Sequence, residues 1–151
     1  MPFHIVLYEP EIPSNTGNIG RLCVGTNSKL HLIKPMKFLL NDKYLKRAGL
    51  DYWDKLRIEI HDSWEDLLKK YPESTKYYFT TKAEKIYSDI SFRDGDFLIF
   101  GPETRGLPES ILHEHWEHSY TIPMTKDIRS INLSNSVAIV LYEGIRQVGM
   151  F

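Results

Sequence analysis

Cysteine and long apolar runs are almost absent from this sequence. Cys23 is the only cysteine among 151 residues, so no internal disulfide can form and we expect a reducing compartment. The apolar run Phe3–Tyr8 is far too short for the core of a signal peptide or for a membrane span. We therefore expect a cytoplasmic protein without a membrane segment, in which Cys23 is a small buried hydrophobe.

The sequence also lacks an excess of positive charge. Its 19 lysines and arginines stand against 20 aspartates and glutamates, which gives a formal net charge of −1. This balance argues against a protein that grips nucleic acid through its overall charge. Local clusters are still sufficient, because counterion release depends on the phosphate contacts that are made. Basic residues cluster at 43–47 and at 126–129, although either cluster taken alone is explained more simply as a solvated surface.

Linkers, internal repeats and low-complexity segments are missing as well. With 42% hydrophobic and 26% charged residues, the composition is typical of a globular protein. A chain of this length can bury a substantial core without disulfide or metal staples. We therefore predict one domain over residues 1–151.

Short apolar runs alternate with amphipathic segments along most of the chain. Such alternation is typical of βαβ units, and continuously apolar runs are typical of strands covered on both faces. The sequence therefore predicts an α/β fold, a mostly parallel sheet of about six strands with helices on both faces. The predicted strands are Phe3–Tyr8, Leu30–Ile33, Arg57–Ile60, Tyr77–Thr80, Asp96–Phe100 and Tyr120–Ile122. The predicted helices begin near Asn15 and Pro108 and cover Lys43–Arg47, Ser63–Tyr71 and Leu133–Val148.

The last predicted helix carries an apolar stripe. Val137, Val140, Leu141 and Ile145 recur at helical spacing and fall on one face. A stripe of this kind must pack against the sheet or against a second subunit.

Three polar stretches stand at or soon after the ends of apolar runs: Asn15–Arg21, Phe100–Leu107 and Ile131–Ser136. They concentrate glycines, amides and isolated charges that a core does not use. The carboxyl ends of parallel strands meet at one edge of a sheet, where ligands bind in α/β proteins. The sequence therefore predicts that the three stretches form one site.

Each stretch also has an ordinary structural explanation. The first is a capped helix start, which accounts for Asn15 but leaves Arg21 unexplained. The second is a rigid turn that carries Glu103 and Arg105, and it needs no ligand to exist. The third has more small hydrogen-bonding side chains than one helix cap requires.

Several other kinds of site are not supported. The first stretch is not G-x-G-x-x-G and no P-loop lysine follows it, so it does not match dinucleotide- or triphosphate-binding loops. The segment His113–His118 lacks the pair of histidines four apart that binds zinc on a helix, and we expect no metal. No G-x-S-x-G nucleophile motif and no evident pair of catalytic carboxylates occur.

Taken in order, the three stretches resemble the three signature motifs of the SPOUT class of S-adenosylmethionine-dependent RNA methyltransferases. The resemblance extends over essentially the whole chain. The segments His4–Pro13, Gly49–Tyr52 and Ile122–Thr125 resemble the subgroup that 2′-O-methylates the wobble nucleotide of tRNA, position 34, which is cytidine or a modified uridine.

The resemblance carries expectations about the molecule as a whole. It implies a trefoil knot in the carboxyl-terminal third, which general topology rules would not suggest. It implies a homodimer through the last helix and the knot region. It further implies S-adenosylmethionine as the cofactor, without a metal, and a tRNA anticodon stem-loop as the partner.

The resemblance also assigns residues. Arg21 matches the arginine that acts on the ribose 2′-hydroxyl, and a guanidinium is better suited to stabilise charge than to accept a proton. Asn15 would orient Arg21 or the ribose, and the residues expected to order the loops are Glu103, Asn132 and Ser134. The residues implied around the cofactor, several through their backbone, are Phe79, Gly101, Ile122, Met124, Ser130 and Leu133. Because no separate RNA-binding domain is present, the candidate phosphate contacts are Lys43, Lys46, Arg47, Arg105, Lys126 and Arg129.

Two alternatives stay open at this point. A knotted RNA-binding protein could be catalytically silent or could act on ribosomal RNA, although the presence of Arg21 and Glu103 favours an enzyme. An interaction protein without a cofactor would leave the glycine-rich strand ends unexplained.

Overall fold

A computed structural model describes residues 3–39 and 52–149. Six strands form one sheet in the order β3-β2-β1-β5-β4-β6, and every pair of neighbours is parallel. The strands are β1 Phe3–Tyr8, β2 Lys29–Ile33, β3 Ile58–His61, β4 Lys76–Phe79, β5 Asp96–Phe100 and β6 Ser119–Tyr120. The α/β prediction with a parallel sheet of about six strands is confirmed.

Among the described residues, four α-helices connect or follow these strands. They are α1 Pro13–Gly25, α2 Trp64–Lys70, α3 Glu109–Glu114 and α4 Leu133–Val148. Short 3₁₀ turns cover Trp53–Lys55, Tyr87–Asp89 and Trp116–His118. The start of α2 is capped by the Ser63 hydroxyl, which accepts from the Asp66 N–H at 3.1 Å.

The sheet is buried on both faces. Strand residues such as Ile5, Leu32 and Phe100 form one core cluster with α1 and with the apolar stripe of α4. Residues of opposite parity, such as Val6 and Ile99, form a second cluster with α2 and α3. Helices therefore lie on both faces, and the stripe of α4 packs on the sheet.

Cys23 lies in the first of these clusters, where it is completely buried. Burial raises the pKa of its thiol, because a thiolate loses its hydration there. The expectation of a buried hydrophobe at this position is confirmed. Within residues 3–39 and 52–149, no helix combines the length and the apolar character that crossing a membrane requires.

Several element boundaries differ from the sequence prediction, most by one residue; the last strand and the first helix differ by more. The last strand is Ser119–Tyr120 rather than 120–122, because β4 ends at Phe79 and offers no further partner; Thr121 instead bridges to Ile86. The first helix begins at Pro13, since proline at the first helical position has its φ already set. The predicted helix Lys43–Arg47 lies outside the described residues.

Candidate active site

A cavity of about 600 Å³ opens beyond the carboxyl ends of β4 and β5. Its size is within the range of about 300–1,000 Å³ that small-molecule and cofactor sites occupy. Its walls come from the ends of these strands, the segment 101–107, the segment 121–133 and the start of α1. All six residues that the sequence analysis placed around the cofactor line it: Phe79, Gly101, Ile122, Met124, Ser130 and Leu133.

One wall depends on a close backbone approach at Gly101. A Cβ atom at this position would lie 2.3 Å from the Leu107 nitrogen and 2.4 Å from the Gly106 carbonyl carbon, which no side chain can occupy. Gly106 has a φ of +69°, and its N–H donates to the Pro102 carbonyl at 2.9 Å. The segment after β5 is therefore folded tightly against the end of its own strand.

The cavity surface combines aromatic and polar groups. The Phe79 and Phe100 rings stack with centroids 4.9 Å apart and an interplanar angle of 18°. Ser130, Asn132 and Arg129 add hydroxyl, amide and guanidinium groups to the lining. This surface suits a ligand with a flat, uncharged ring at one end and polar groups at the other.

Glu103 joins two of the predicted stretches. Its Oε1 accepts from the Glu11 N–H at 2.9 Å, and its Oε2 accepts from the Ile12 N–H at 2.9 Å and from the Asn15 Nδ2 at 3.1 Å. Both carboxylate oxygens are therefore occupied by donors. This arrangement fixes the start of α1 and matches an ordering role better than that of a proton acceptor.

Asn132 brings in the third stretch. Its Nδ2 donates to the Asn15 Oδ1 at 3.2 Å, while its Oδ1 caps α4 by accepting from the N–H groups of Ser134 and Asn135 at 2.9 and 3.3 Å. The Ser134 hydroxyl donates to the same oxygen at 2.6 Å. The structure therefore links four of the five predicted catalytic residues, Asn15, Glu103, Asn132 and Ser134, in one hydrogen-bonded row.

Arg21 lies apart from this row. It is exposed on α1, six residues after Asn15, and does not line the cavity. Six residues of α-helix correspond to about 9 Å along the axis and to a rotation of about 120° away from Asn15. The guanidinium lies 5.8 Å from the centroid of the Tyr52 ring, within reach of a cation–π interaction.

Tyr52 contacts α1, and sequence reasoning missed this contact. Its ring packs beside Gly20 of α1, where a Cβ atom would lie 3.7 Å from the Tyr52 Cε2. Its hydroxyl donates to the Gly17 carbonyl. The only signal in the sequence was its place at the end of the segment Gly49–Tyr52.

The predicted phosphate contacts have different surroundings. Arg129 is exposed and lines the cavity, and Lys126 is exposed outside it. Arg105 also lines the cavity, but its guanidinium lies 3.3 Å from a Glu9 carboxylate oxygen and 3.9 Å from a Glu11 oxygen. The other three predicted contacts, Lys43, Lys46 and Arg47, lie outside the described residues.

Glu11 is a second group that sequence reasoning missed. Its Oε1 accepts from the Thr104 N–H at 2.8 Å and from the Thr104 hydroxyl at 2.7 Å, and its Oε2 accepts from Lys37 at 2.9 Å. These donors stabilise the carboxylate and lower the pKa of Glu11 to about 2, and the Thr104 backbone N–H has the largest effect. No local pattern identifies such a residue, because its partner Thr104 is 93 positions away.

A separate cluster of histidines lies under α2 and does not line the cavity. The His4 Nδ1 lies 2.8 Å from the His31 Nε2, and the His31 Nδ1 lies 2.9 Å from the His61 Nε2. His31, His61 and Glu59 bring possible metal-ligand atoms within 4.8 Å of one another. Glu59, however, already accepts from Lys29 at 2.9 Å and from Lys70, and these ammonium groups oppose a metal cation.

The SpoU rRNA methylase family matches residues 2–142 of the chain. The chain belongs to this family. Among SpoU relatives, the tRNA (cytidine(34)-2′-O)-methyltransferase of Methylovorus glucosotrophus is 51% identical over 146 residues, which cover 96% of this chain and 95% of that protein.

Two further SpoU comparisons agree over nearly the full length. The tRNA (cytidine(34)-2′-O)-methyltransferase of Escherichia coli strain K12 is 50% identical over 147 residues, covering 97% of this chain and 94% of its own. A solved structure from work on the 2-OH methylation of C/U34 on tRNA superposes with a TM-score of 0.92 at 42% identity, covering 96% of this chain and 95% of that one. The parallel six-stranded sheet described above is therefore the fold of this family.

Proposed function

We propose that the chain is an S-adenosylmethionine-dependent methyltransferase that methylates the ribose 2′-oxygen of nucleotide 34 in tRNA. One observation carries the proposal. Asn15 of the first polar stretch is hydrogen-bonded to Glu103 of the second and to Asn132 of the third, at a cavity lined by every predicted cofactor residue. The identities of about 50% to tRNA (cytidine(34)-2′-O)-methyltransferases support the choice of substrate.

The cavity fits the cofactor in shape and chemistry. Its stacked phenylalanines offer an apolar surface for an adenine ring, and Ser130 and Asn132 offer polar partners for the rest of the molecule. When bound, S-adenosylmethionine supplies a methyl group on a sulfonium centre, and its transfer needs no metal. The tight backbone at Gly101 keeps this wall rigid, which favours a fixed orientation of the ligand.

Arg21 supplies the charge that the reaction needs. A ribose hydroxyl is a weak nucleophile, so a site must stabilise the negative charge that develops on its oxygen and must hold the reacting atoms in line. A guanidinium is a poor base but a good charge stabiliser. Because Arg21 is exposed and outside the cavity lining, it meets the ribose and phosphate from the solvent side.

The surface around the cavity mouth holds the anticodon stem-loop. Arg129 and Lys126 are exposed there and carry no ion pair with a described residue. They offer phosphate contacts, which need no excess of positive charge in the whole chain. Lys43, Lys46 and Arg47 are proposed as further contacts on the basis of the resemblance.

A homodimer through α4, with a trefoil knot behind it and a cytoplasmic setting, completes the proposal. On α4, Ile139 and Tyr142 are 36% and 47% exposed and lie three residues apart on one face. A partner α4 would cover them. We expect Ile139→Glu to shift the chain from dimer to monomer in sedimentation equilibrium, whereas a wild-type chain that sediments as a monomer would contradict the dimer.

The substrate is tested with labelled S-adenosylmethionine in separate reactions with bulk tRNA and with ribosomal RNA, followed by mapping of the labelled nucleosides by mass spectrometry. We expect the label in the ribose at position 34. Label in ribosomal RNA instead would replace the substrate assignment. Binding of RNA without transfer of label would identify a silent RNA-binding protein.

A further inference from the structure

We propose that Glu11 is a positioning residue that holds one wall of the cofactor cavity, the segment 101–107, in place through Thr104. The inference rests on the proposed function for its cofactor, but its structural basis is independent of the substrate. Glu11 is not one of the residues of the three polar stretches. It lies in the loop between β1 and α1, outside the cavity lining.

Glu11 and Glu103 form a reciprocal clasp between two loops. The Glu103 carboxylate accepts from the Glu11 and Ile12 N–H groups, while the Glu11 carboxylate accepts from the Thr104 N–H and hydroxyl. The loop between β1 and α1 therefore supplies the Glu11 carboxylate and donates to Glu103, and the segment 101–107 supplies the Glu103 carboxylate and donates to Glu11. Four charge-assisted hydrogen bonds join the loops, and such bonds are roughly twice as strong as neutral ones.

The Glu11 side chain is largely buried although its partners lie at the surface. It is only 6% exposed, whereas the Lys37 side chain is 70% exposed. The contact with Lys37 is thus screened by water and contributes little. Thr104 is exposed as well, but its two bonds join the segment 101–107 to Glu11 and are the ones that hold the loop.

Thr104 lies in the cavity wall, so a restraint on Thr104 acts directly on the cavity. It lies in the middle of the segment 101–107, which forms one wall of the cavity. Gly101 at one end of this wall is fixed by β5, and Leu107 at the other end is buried in the core. Glu11 therefore restrains the middle of the wall and, through its 3.9 Å contact with Arg105, the neighbouring guanidinium.

The test compares Glu11→Gln, Thr104→Val and the double variant with the wild-type chain. Glutamine keeps the length of the side chain but loses the charge and one acceptor. Valine keeps the Thr104 N–H bond and loses only the hydroxyl. Lys37→Ala is the matched control, because it removes the exposed partner of Glu11 and leaves the bonds to Thr104.

Three quantities are measured: hydrogen exchange of the Thr104 amide, the Kd for S-adenosylmethionine without RNA, and kcat and KM with tRNA. For Glu11→Gln we expect exchange and Kd to rise by about tenfold, because both bonds to Thr104 end on the same oxygen and change from charge-assisted to neutral. We expect kcat to fall while KM for tRNA stays within about threefold, since the cavity wall rather than the RNA surface is disturbed. Lys37→Ala should match the wild type in all three.

The double variant decides whether Glu11 acts through Thr104. If it does, the double variant loses less than the sum of the two single variants, because the two residues share one interaction. Additive effects, or wild-type exchange and Kd in Glu11→Gln, would overturn the proposal. A wild-type chain that binds the cofactor but does not methylate tRNA would overturn the substrate only, and the exchange and Kd measurements would still decide the role of Glu11.

Discussion

At the scale of single residues, the site divides into groups that hold the cavity and one group that faces outward. Glu103 forms hydrogen bonds with the backbone of the loop before α1, and Asn132 forms hydrogen bonds with the first turn of α4. Arg21 instead projects from α1 toward solvent, backed by the Tyr52 ring. This division separates the residues whose loss affects cofactor binding from the residue whose loss affects turnover.

Substitution of Arg21 tests that separation. We expect Arg21→Ala to lower kcat by about 10²–10³-fold, the usual cost of removing one group that stabilises transition-state charge. The Kd for S-adenosylmethionine should be unchanged, because Arg21 does not line the cavity. Arg21→Lys should recover part of the rate, since it restores charge but not the planar fork. Full turnover in Arg21→Ala would remove Arg21 from the reaction.

Gly101 provides a second test at this scale. Alanine here would place its Cβ 2.3 Å from the Leu107 nitrogen, and backbone atoms cannot move aside cheaply. We expect Gly101→Ala to lower the free energy of unfolding by about 1–3 kcal/mol and to abolish measurable cofactor binding. Gly25→Ala, at a position with no atom within 4 Å of the added Cβ, is the control and should keep wild-type binding by calorimetry. Normal binding in Gly101→Ala would show that this wall can yield.

At the scale of elements, the alternation of apolar runs and helices predicted the sheet correctly. Most strands are short and largely apolar, so local sequence is sufficient to identify them to within a few residues. Contacts between strands are different. His4, His31 and His61 are 27 and 30 residues apart, and no periodicity indicates that three adjacent strands will place them side by side.

The same distinction explains what was found and missed in the site. The cofactor residues come from strand ends and motif stretches, and all six line the cavity. Glu11 and Tyr52 were missed because their roles depend on the partner that folding brings to them. The boundary of β6 was wrong for a similar reason, because a strand ends where its neighbour ends rather than where its own apolar run ends.

The cluster of His4, His31 and His61 makes the free energy of unfolding depend on pH. Burial lowers the pKa of His4 to about 4 and that of His31 to about 3, from 6.5 in the unfolded chain. The unfolded state therefore takes up protons below pH 6.5 that the folded state refuses, so stability falls as the pH drops from about 6.5 toward 4. Each such histidine contributes a slope of at most about 1.4 kcal/mol per pH unit.

Urea unfolding at several pH values measures this slope. His4→Phe preserves a ring next to Phe97, with which His4 stacks at 4.2 Å, and removes one titrating group. We expect the variant to be less stable at pH 7, because His31 loses a partner, but to have a shallower decline toward pH 4. An unchanged slope would show that His4 does not contribute to the acid sensitivity.

At the scale of the whole molecule, near-neutral charge and a nucleic-acid substrate are compatible only if the basic residues act locally. Arg129 at the cavity and Lys126 beside it are exposed. Binding strength is therefore expected to depend on these few contacts rather than on the net charge of −1.

Salt dependence measures those contacts. We expect log K for tRNA to fall linearly with log salt concentration, and Lys126→Ala and Arg129→Ala each to reduce the slope by about 1. Lys69→Ala, an exposed change on α2 away from the cavity, should leave the slope unchanged. Filter binding at several salt concentrations provides the data. Equal slopes for all variants would place the RNA on another surface.

The hydrogen-bonded row of Asn15, Glu103 and Asn132 has a consequence for the birth of the protein on the ribosome. Its bonds span 88 and 117 positions of sequence, so the first motif is synthesised long before its last partner. Contacts of such long range form late in folding. A nascent chain that stops before α4 contains the strands of its sheet but not the finished binding site. Cofactor binding can therefore stabilise the folded state only after the last helix has left the exit tunnel.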